Sequence, residues 1–446
     1  MGLLMDVIDW MIQINSSFLK WNIAHGREIL DVMHVIFDNI FYVFLCMTVF
    51  ITTVYLVLSV SAVLSRKRHK EKSFDSSNAP FITIQIPTRN ESIALRCAEN
   101  CLGFDYPKDR YEVLIGDDSD DPAISGQLAE FAGLHERVKV IKRQKNIGFK
   151  PGNLNNMLKH SKGDYIVVFD SDFTPGRDFL KRIIAPFQHN KNLSAVQARW
   201  NFNNFNQNYV TVLASTIVYV FHHIVLTFLK KHNTGTLCGS AEAVKKSDLI
   251  KLGRWKSGSL TEDIEYSLRL HKNNKGIMYL PELECYSDVP HKAKDLYKQQ
   301  MRWAYGVISS YIEHAGSLII NRSISIKRKA LSFFAGFGYV LPVMILALFT
   351  FGTLSFLTHR PGPIDLPRFF SEMTINILLT SGLIIASIVS LYRAKKARYL
   401  AKMLLSSFSV GIITTFYVNK GIFKSVLGKP MEWYLLDKDT AGHTAK

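Results

Sequence analysis

Four short motifs stand in order along the chain: Asp117-Asp118, Asp170-Ser171-Asp172, Thr261-Glu262-Asp263 and Gln299-Gln300-Met301-Arg302-Trp303. Two carboxylates at i and i+2 suit a divalent cation that prefers oxygen, magnesium or manganese. Asp263 suits a general base that takes a proton from an attacking hydroxyl. Arg302 can grip a diphosphate through two parallel hydrogen bonds, and the face of Trp303 can carry a sugar ring. The set fits transfer of a sugar from a nucleotide diphosphate, whose departure gathers negative charge that a Lewis acid offsets.

Each motif also has a plainer use. Asp170 and Asp172 follow the strand-like run YIVVF (165–169), where they could serve as a direct and an indirect metal ligand or simply cap the next helix. Asp117, Asp118, Asp120 and Asp121 crowd four repelling carboxylates into five residues, which a nucleobase and ribose would justify, as would helix capping. Lys150-Pro151-Gly152-Asn153-Leu154-Asn155 opens a helix, and with Arg143, Lys145 and Gly148 nearby it offers a flexible basic approach for phosphate, or a plain turn. Thr261 reads as the N-cap of an amphipathic helix with Ile264, Leu268 and Leu270 inward; capping needs Thr261 but not Asp263. Arg302 and Trp303 could instead be a snorkelling pair beside a membrane.

The elements that must position these residues read as an α/β domain between about 72 and 303. The runs FITIQI (81–86), YEVLI (111–115), RVKVI (137–141) and YIVVF (165–169) are short and apolar on both faces, as strands buried under helices are. Helical stretches at about 91–103, 123–134 and 152–161 complete the alternation of a mostly parallel, Rossmann-like sheet. In such sheets ligands bind beyond the carboxyl ends of the strands, where Asp117 and Asp170 fall.

At 446 residues and 48% hydrophobic, the chain is too apolar for an ordinary soluble enzyme of its length. Its net charge of +17 suits nucleic acid or an anionic leaflet. The densest basic runs, Arg66-Lys67-Arg68-His69-Lys70 and Arg393 through Arg398, abut apolar stretches, which favours the bilayer and predicts no nucleic-acid partner. Five cysteines form no CxxC pair, and the histidines show no HExxH spacing.

Residues 39–65 carry no charge, and about 20 such residues cross a bilayer. The following basic run places what comes after it on the cytoplasmic side of a multi-pass protein of the plasma membrane. The segment lies too far from Met1 for a cleaved signal peptide. Residues 1–38 are expected as an interfacial or extracytosolic segment, with Trp10, Ile12, Phe18, Leu19 and Trp21 facing lipid headgroups. Residues 304–326 read as an interfacial helix, 328–425 as membrane-spanning or interfacial helices and 426–446 as a tail. Within the third region Ala330 to Thr358 and Met373 to Tyr392 pair as one helix out and one back, while the course of 403–419 is undecided. Val210 to Leu229 is long enough to span, but His222-His223 and its place between two motifs make it a buried helix of the α/β domain.

The order of motifs resembles the family 2 glycosyltransferases of GT-A fold, and among them the membrane-integrated synthases of cellulose, chitin, hyaluronan and glucomannan, which carry D, DxD, TED and QxxRW. The likeness runs from about Phe81 to Gly306, and Pro87 with Asn90-Glu91, Lys150 with Gly152, Gln197 with Trp200, and Gly239-Ser240 fall at family-like places. The resemblance implies a GT-A cytosolic domain plus an α-helical transmembrane region. It implies that Pro87, Glu91, Asp117, Asp118, Lys150 and Asp170 bind the nucleotide, that Asp170 and Asp172 hold Mg2+ or Mn2+, and that Asp263 is the base. Gly239, Ser240, Glu262, Gln299, Arg302 and Trp303 would hold the diphosphate and the acceptor. The segment Cys238 to Ala243 departs from the family's GTxGxxR-like sequence, and Glu432 to Leu436 is similar to a gating segment but lacks its threonine.

The implied reaction is an inverting displacement that extends a β-linked polysaccharide from a UDP- or GDP-sugar, with secretion through the same protein. The alternative is a glycolipid synthase, since ceramide glucosyltransferases share the four motifs. A transporter is a third reading, but transport pathways place ionisable residues within the crossings, and these crossings hold almost none.

Overall fold

The computed structural model describes residues 2–64, 72–360 and 365–431. The basic run Arg66 to Lys70 and the segment Glu432 to Leu436 lie outside the described residues. Residues 1–54 with 340–382 form one compact unit, and 55–339 with 383–446 form another.

The second unit is built on an eight-stranded sheet: β1 (Ile82–Thr88), β2 (Tyr111–Asp117), β3 (Val138–Lys142), β4 (Tyr165–Val168), β5 (Thr174–Pro175), β6 (Leu193–Phe202), β7 (Glu242–Lys245) and β8 (Gly276–Ser287). The spatial order is β3-β2-β1-β4-β7-β6-β8-β5. The four strands expected from the apolar runs are β1 to β4, and they pair in parallel. Beyond β4 the sheet is mixed: β7 runs antiparallel to β4 and β6, β8 parallel to β6, and β5 antiparallel to β8. The parallel half carries helices Ala94–Leu102, Pro122–Gly133 and Phe149–His160, close to where periodicity puts them. Its core is dry and aromatic, with Phe104, Phe169 and Phe179 mutually in contact and fully buried.

Two glycines bring backbones together where a side chain would not fit. A Cβ on Gly116 of β2 would lie 2.0 Å from Asn153 Oδ1, and Asn153 donates back to the Gly116 carbonyl at 2.8 Å. A Cβ on Gly421 would lie 2.3 Å from the Met301 carbonyl, so helix Val410–Val426 lies directly on helix Ala293–Ile320. Tyr297 and Tyr417 stack along the same contact, with centroids 5.1 Å apart. The segment 403–419 thus belongs to helices Leu400–Phe408 and Val410–Val426, bent by 54° at Ser409.

Helix Tyr209–Val220 continues through a π-helical turn, Phe221–Val225, into Leu226–Lys230, and is mostly buried. Burial pushes the His222 imidazole down to about 3, so it is neutral at physiological pH, packed against Trp200 and Tyr279. The sequence expected this segment to be buried, and its residues are.

Gly2–Leu64 is one uninterrupted helix that takes in residues 2–38 of the expected N-terminal segment and 39–64 of the uncharged run. Among the described residues three helices are long and apolar enough to cross a membrane, His25–Leu64, Tyr209–Lys230 and Phe337–Thr358, or up to five if two bent pairs each count as one. The run Ala330 to Thr358, expected as one helix, breaks at Ala335-Gly336, where a Cβ on Gly336 would lie 2.2 Å from the Tyr311 ring. Met373 to Tyr392 also breaks, before Gly382: a Cβ there would lie 1.8 Å from the Thr52 carbonyl. Thr52 Oγ1 donates to the Leu379 carbonyl at 3.1 Å. At both breaks a glycine leaves room for a distant part of the chain, the Tyr311 ring in one case and the Thr52 backbone in the other. The boundary expected at Trp303 instead lies inside the single helix Ala293–Ile320.

Candidate active site

The site forms at the carboxyl ends of β1, β2 and β4. Asp117 is the last residue of β2 and is 1% exposed. Its oxygens accept from the Ser119 amide at 2.8 Å and the Ser125 hydroxyl at 2.6 Å. Asp118 receives both arms of Arg143, at 2.6 and 2.5 Å, while the same guanidinium donates to the carbonyls of Ile147 and Phe149. Arg143 is therefore committed to shaping this loop, where the sequence suggested a flexible basic approach to phosphate. Asp120 pairs with Arg89 at 2.8 Å and Asp121 caps helix Pro122–Gly133. Helix capping thus explains Asp121 alone, and the crowded charges are each given a partner.

On β1, Pro87 stands level with Gly116, and Glu91 lies in the loop that follows. The Ser171 hydroxyl donates to Glu91, tying that loop to the Asp170-Ser171-Asp172 turn. Asp172 is buried, whereas Asp170 keeps 32% of its side chain exposed. The Asp170 amide donates to the Ser240 hydroxyl at 2.9 Å.

Lys150 is the hub. Its ammonium contacts Asp170 at 2.7 Å, Glu262 at 3.2 Å and the Gly239 carbonyl at 2.6 Å. Burial disfavours its charge, but the carboxylates of Asp170 and Glu262 outweigh that and hold it above the ordinary lysine value. Gly239 has φ +85°, and a Cβ there would lie 3.4 Å from Lys150 Nζ and 3.5 Å from Asp263 Oδ2. That places Asp263 against the same turn. Burial, and then repulsion from Glu262, push Asp263 up to about 7, the range in which a carboxylate is an effective base near neutrality.

Arg302 closes the cluster from helix Ala293–Ile320, donating to the Leu260 carbonyl at 3.2 Å. Burial lowers its basicity while Glu262, Asp170 and Asp263 counteract. Trp303, one residue on, is half-buried and packs against the apolar cluster that includes Phe202, Phe205 and Leu296. Gln299 is half-buried on the same helix.

Thr261 precedes helix Glu262–Lys272 as expected, yet its side chain makes no capping bond. Its hydroxyl lies 3.4 Å from that of Ser310, because helix Ala293–Ile320 passes so close at Gly306 that a Cβ there would lie 2.6 Å from Thr261 Cγ2. Gly306→Ala is expected to cost about 1–3 kcal/mol of stability through overpacking and to lower turnover by displacing Thr261 and, two residues on, Asp263. Thermal unfolding and kcat measured together check it; an unchanged melting temperature would mean the helix yields freely.

Lys150, Asp170, Glu262, Asp263, Gly239, Ser240 and Arg302 are thus brought together. Pro87, Glu91, Asp117 and Asp118 form an adjoining group on β1 and β2. Two residues of the site carry little signal in the sequence: Glu242, an acid at the start of the four-residue strand β7, and Gly306, a glycine within a helix.

Residues 79–306 match the family model described as "Glycosyltransferase like family 2". The chain belongs to this family and is a glycosyltransferase. The beta-monoglucosyldiacylglycerol synthase of a Nostoc species is 30% identical over 322 residues, covering 70% of this chain and 67% of that protein. Glucomannan 4-beta-mannosyltransferase 7 of Arabidopsis thaliana is 25% identical over 432 residues, 89% of this chain and 74% of that protein. The fold is similar to that of the mannosyltransferase PcManGT from Pyrobaculum calidifontis, solved in complex with GDP-Man and Mn2+, with a TM-score of 0.58 over 90% of this chain and 100% of that one, at 15% identity.

Proposed function

We propose that the protein is an inverting transferase that moves a hexosyl group from a UDP- or GDP-sugar to a hydroxyl presented at the cytoplasmic face of the plasma membrane. The observation that carries this is the meeting of Lys150, Asp170, Glu262, Asp263 and Arg302, from four separate segments, in one pocket. In this reading Asp263 takes the acceptor proton, and the hydroxyl attacks the anomeric carbon opposite the departing diphosphate, giving a β-linkage from an α-linked donor. Pro87, Glu91, Asp117 and Asp118 border the nucleotide, while Gln299, Arg302 and Trp303 border the diphosphate and acceptor.

The donor set fits a divalent cation. Among the described residues no three His, Cys, Asp or Glu side chains gather as a complete metal cage. Two carboxylates, Asp170 and Asp172, with the remaining ligands from donor phosphates and water, are the usual way to hold Mg2+ or Mn2+. The pocket's cations, Lys150 and Arg302, already face the acids Asp170, Glu262 and Asp263, so an arriving diphosphate needs further positive charge. When bound, the ion would supply Lewis acidity toward the leaving diphosphate.

For the acceptor, the observations favour a membrane lipid. The helix that bears Arg302 and Trp303 ends in exposed isoleucines, Ile312, Ile319 and Ile320, and Ile326 beyond them is 84% exposed beside Lys327 and Lys329. Such apolar and basic neighbours suit an anionic lipid surface, and one of the relatives is named for a glycolipid product. The second reading, a processive β-glycan synthase with coupled secretion, draws on the glucomannan relatives, which align with up to 89% of this chain. Membranes bearing the protein, incubated with radiolabelled UDP- and GDP-hexoses and Mn2+ or Mg2+, separate the two. Solvent-extractable label supports the lipid, and insoluble high-mass label the polymer. Absence of incorporation from every donor would overturn both.

A further inference from the structure

Glu242 is a buried acid that the transfer chemistry above does not use. It stands on β7 between Ala241 and Ala243, both fully buried, and is itself 1% exposed. A carboxyl group in such a place is costly unless its oxygens are engaged. Glu242 Oε2 accepts from the Gly239 amide at 2.9 Å and from the Cys238 amide at 3.2 Å. The Cys238 amide has a second acceptor, Gln197 Oε1 at 2.8 Å, so the Gly239 amide is the one that leans on Glu242. Gly239 in turn gives its carbonyl to Lys150, and at this left-handed position an added Cβ would lie 3.5 Å from Asp263 Oδ2. One side of this turn faces the base and the lysine hub; the other is held by Glu242.

We propose that Glu242 is the positioning residue of the base: by holding the Gly239 and Cys238 amides it fixes the turn against which Asp263 is aligned. The inference rests on Asp263 acting as the base. Electrostatics agree with the geometry. Burial, then the charge of Asp263, push Glu242 up to about 8, so Glu242 keeps its proton while Asp263 ionises near 7 and meets the amides as a neutral acceptor. The other titratable groups facing Glu242 are Glu262 and Tyr266 on helix Glu262–Lys272, Lys150 on helix Phe149–His160, and Cys238 on the turn itself.

The test uses the full chain in membranes, with Asp263→Asn alongside. Glu242→Ala removes the acceptor for the Gly239 amide and is expected to lower kcat on the order of 10–100-fold, as small misplacement of a reacting group does, with donor KM changed less than about threefold. Glu242→Gln keeps an oxygen for the amides and is expected to recover most of that loss. The acid limb of the kcat profile is expected to stay at its wild-type position, because Glu242 already carries its proton while Asp263 titrates. Full turnover in Glu242→Ala overturns the proposal. So does full turnover in Glu242→Asp, whose shorter side chain withdraws the oxygen from the amides and which still reports should the alanine variant fail to fold. If Asp263→Asn itself retains turnover, the base assignment has failed. An inactive Asp263→Asn beside a fully active Glu242→Ala fails only the positioning role.

Discussion

Asp263→Asn is expected to lower kcat by about two to four orders of magnitude while leaving the donor Kd within a few-fold of wild type. A positioned general base contributes about 10²–10⁴-fold, and the amide is nearly isosteric but accepts no proton at neutral pH. Donor binding should survive because the ion pairs that organise the phosphate end run from Lys150 to Asp170 and Glu262, not to Asp263. The pH dependence provides a second check. With Asp263 held near 7 by burial and by Glu262, the active carboxylate form is gained as pH rises through that value and lost as it falls. Wild-type kcat should therefore show an acid limb near neutrality, and Asp263→Asn should have no such limb in its residual rate. Weakened donor binding with normal turnover would move the base role to another residue. Calorimetric titration with a non-transferable donor analogue, paired with single-turnover kinetics, distinguishes the outcomes.

The residues that do this chemistry were readable from the sequence because strand ends punctuate it. Residues 113–115 of β2 and 166–169, which run through β4, are apolar and fully buried, so Asp117 and Asp170 stand out as the acids where those runs stop. The second half of the sheet was not readable for a physical reason. β6 carries Gln197, Arg199 and Trp200, and β8 carries Glu282 and Glu284, which obscure any strand periodicity. Those polar groups are used: Gln197 holds the Cys238 amide and the Ser240 carbonyl, and Arg199 pairs with Glu284 on the neighbouring strand. Such partners lie tens of residues away, so composition alone cannot show them. The same holds for Arg143. It looked like a phosphate ligand by charge and proved to be the partner of Asp118, because 25 residues of chain fold back to bring them together. Helix breaks at Gly336 and Gly382 were hidden within uniformly apolar runs, since what they answer is a ring and a carbonyl from distant helices.

Lys150→Met is the variant expected to damage both fold and function. Methionine keeps the length and apolar stem of lysine but leaves Asp170 and Glu262 facing each other without the cation between them, in a place where only 13% of the lysine side chain is exposed. Removing one partner of a buried ion pair costs about 3–5 kcal/mol, because the charge left behind stays desolvated. A loss of thermal stability on the order of 10 °C follows for a domain of this size. The sign of the pH dependence is fixed by which groups remain. Lys150 has a raised value, so in the wild type its contribution is fully present below the ordinary lysine range and lost only as pH rises through the folded value. In the variant the abandoned carboxylates are relieved by protonation, so its deficit should shrink as pH falls and widen toward alkaline pH. Lys150→Arg restores a charge, yet its planar fork cannot reproduce a point contact to two carboxylates and the Gly239 carbonyl at once. It should therefore recover stability in part while turnover stays low. Melting curves of the three proteins in detergent across pH, with donor turnover at each, test the whole of this: a Lys150→Met protein as stable as wild type at alkaline pH would show that the acids of the pocket do not depend on the lysine for their charge.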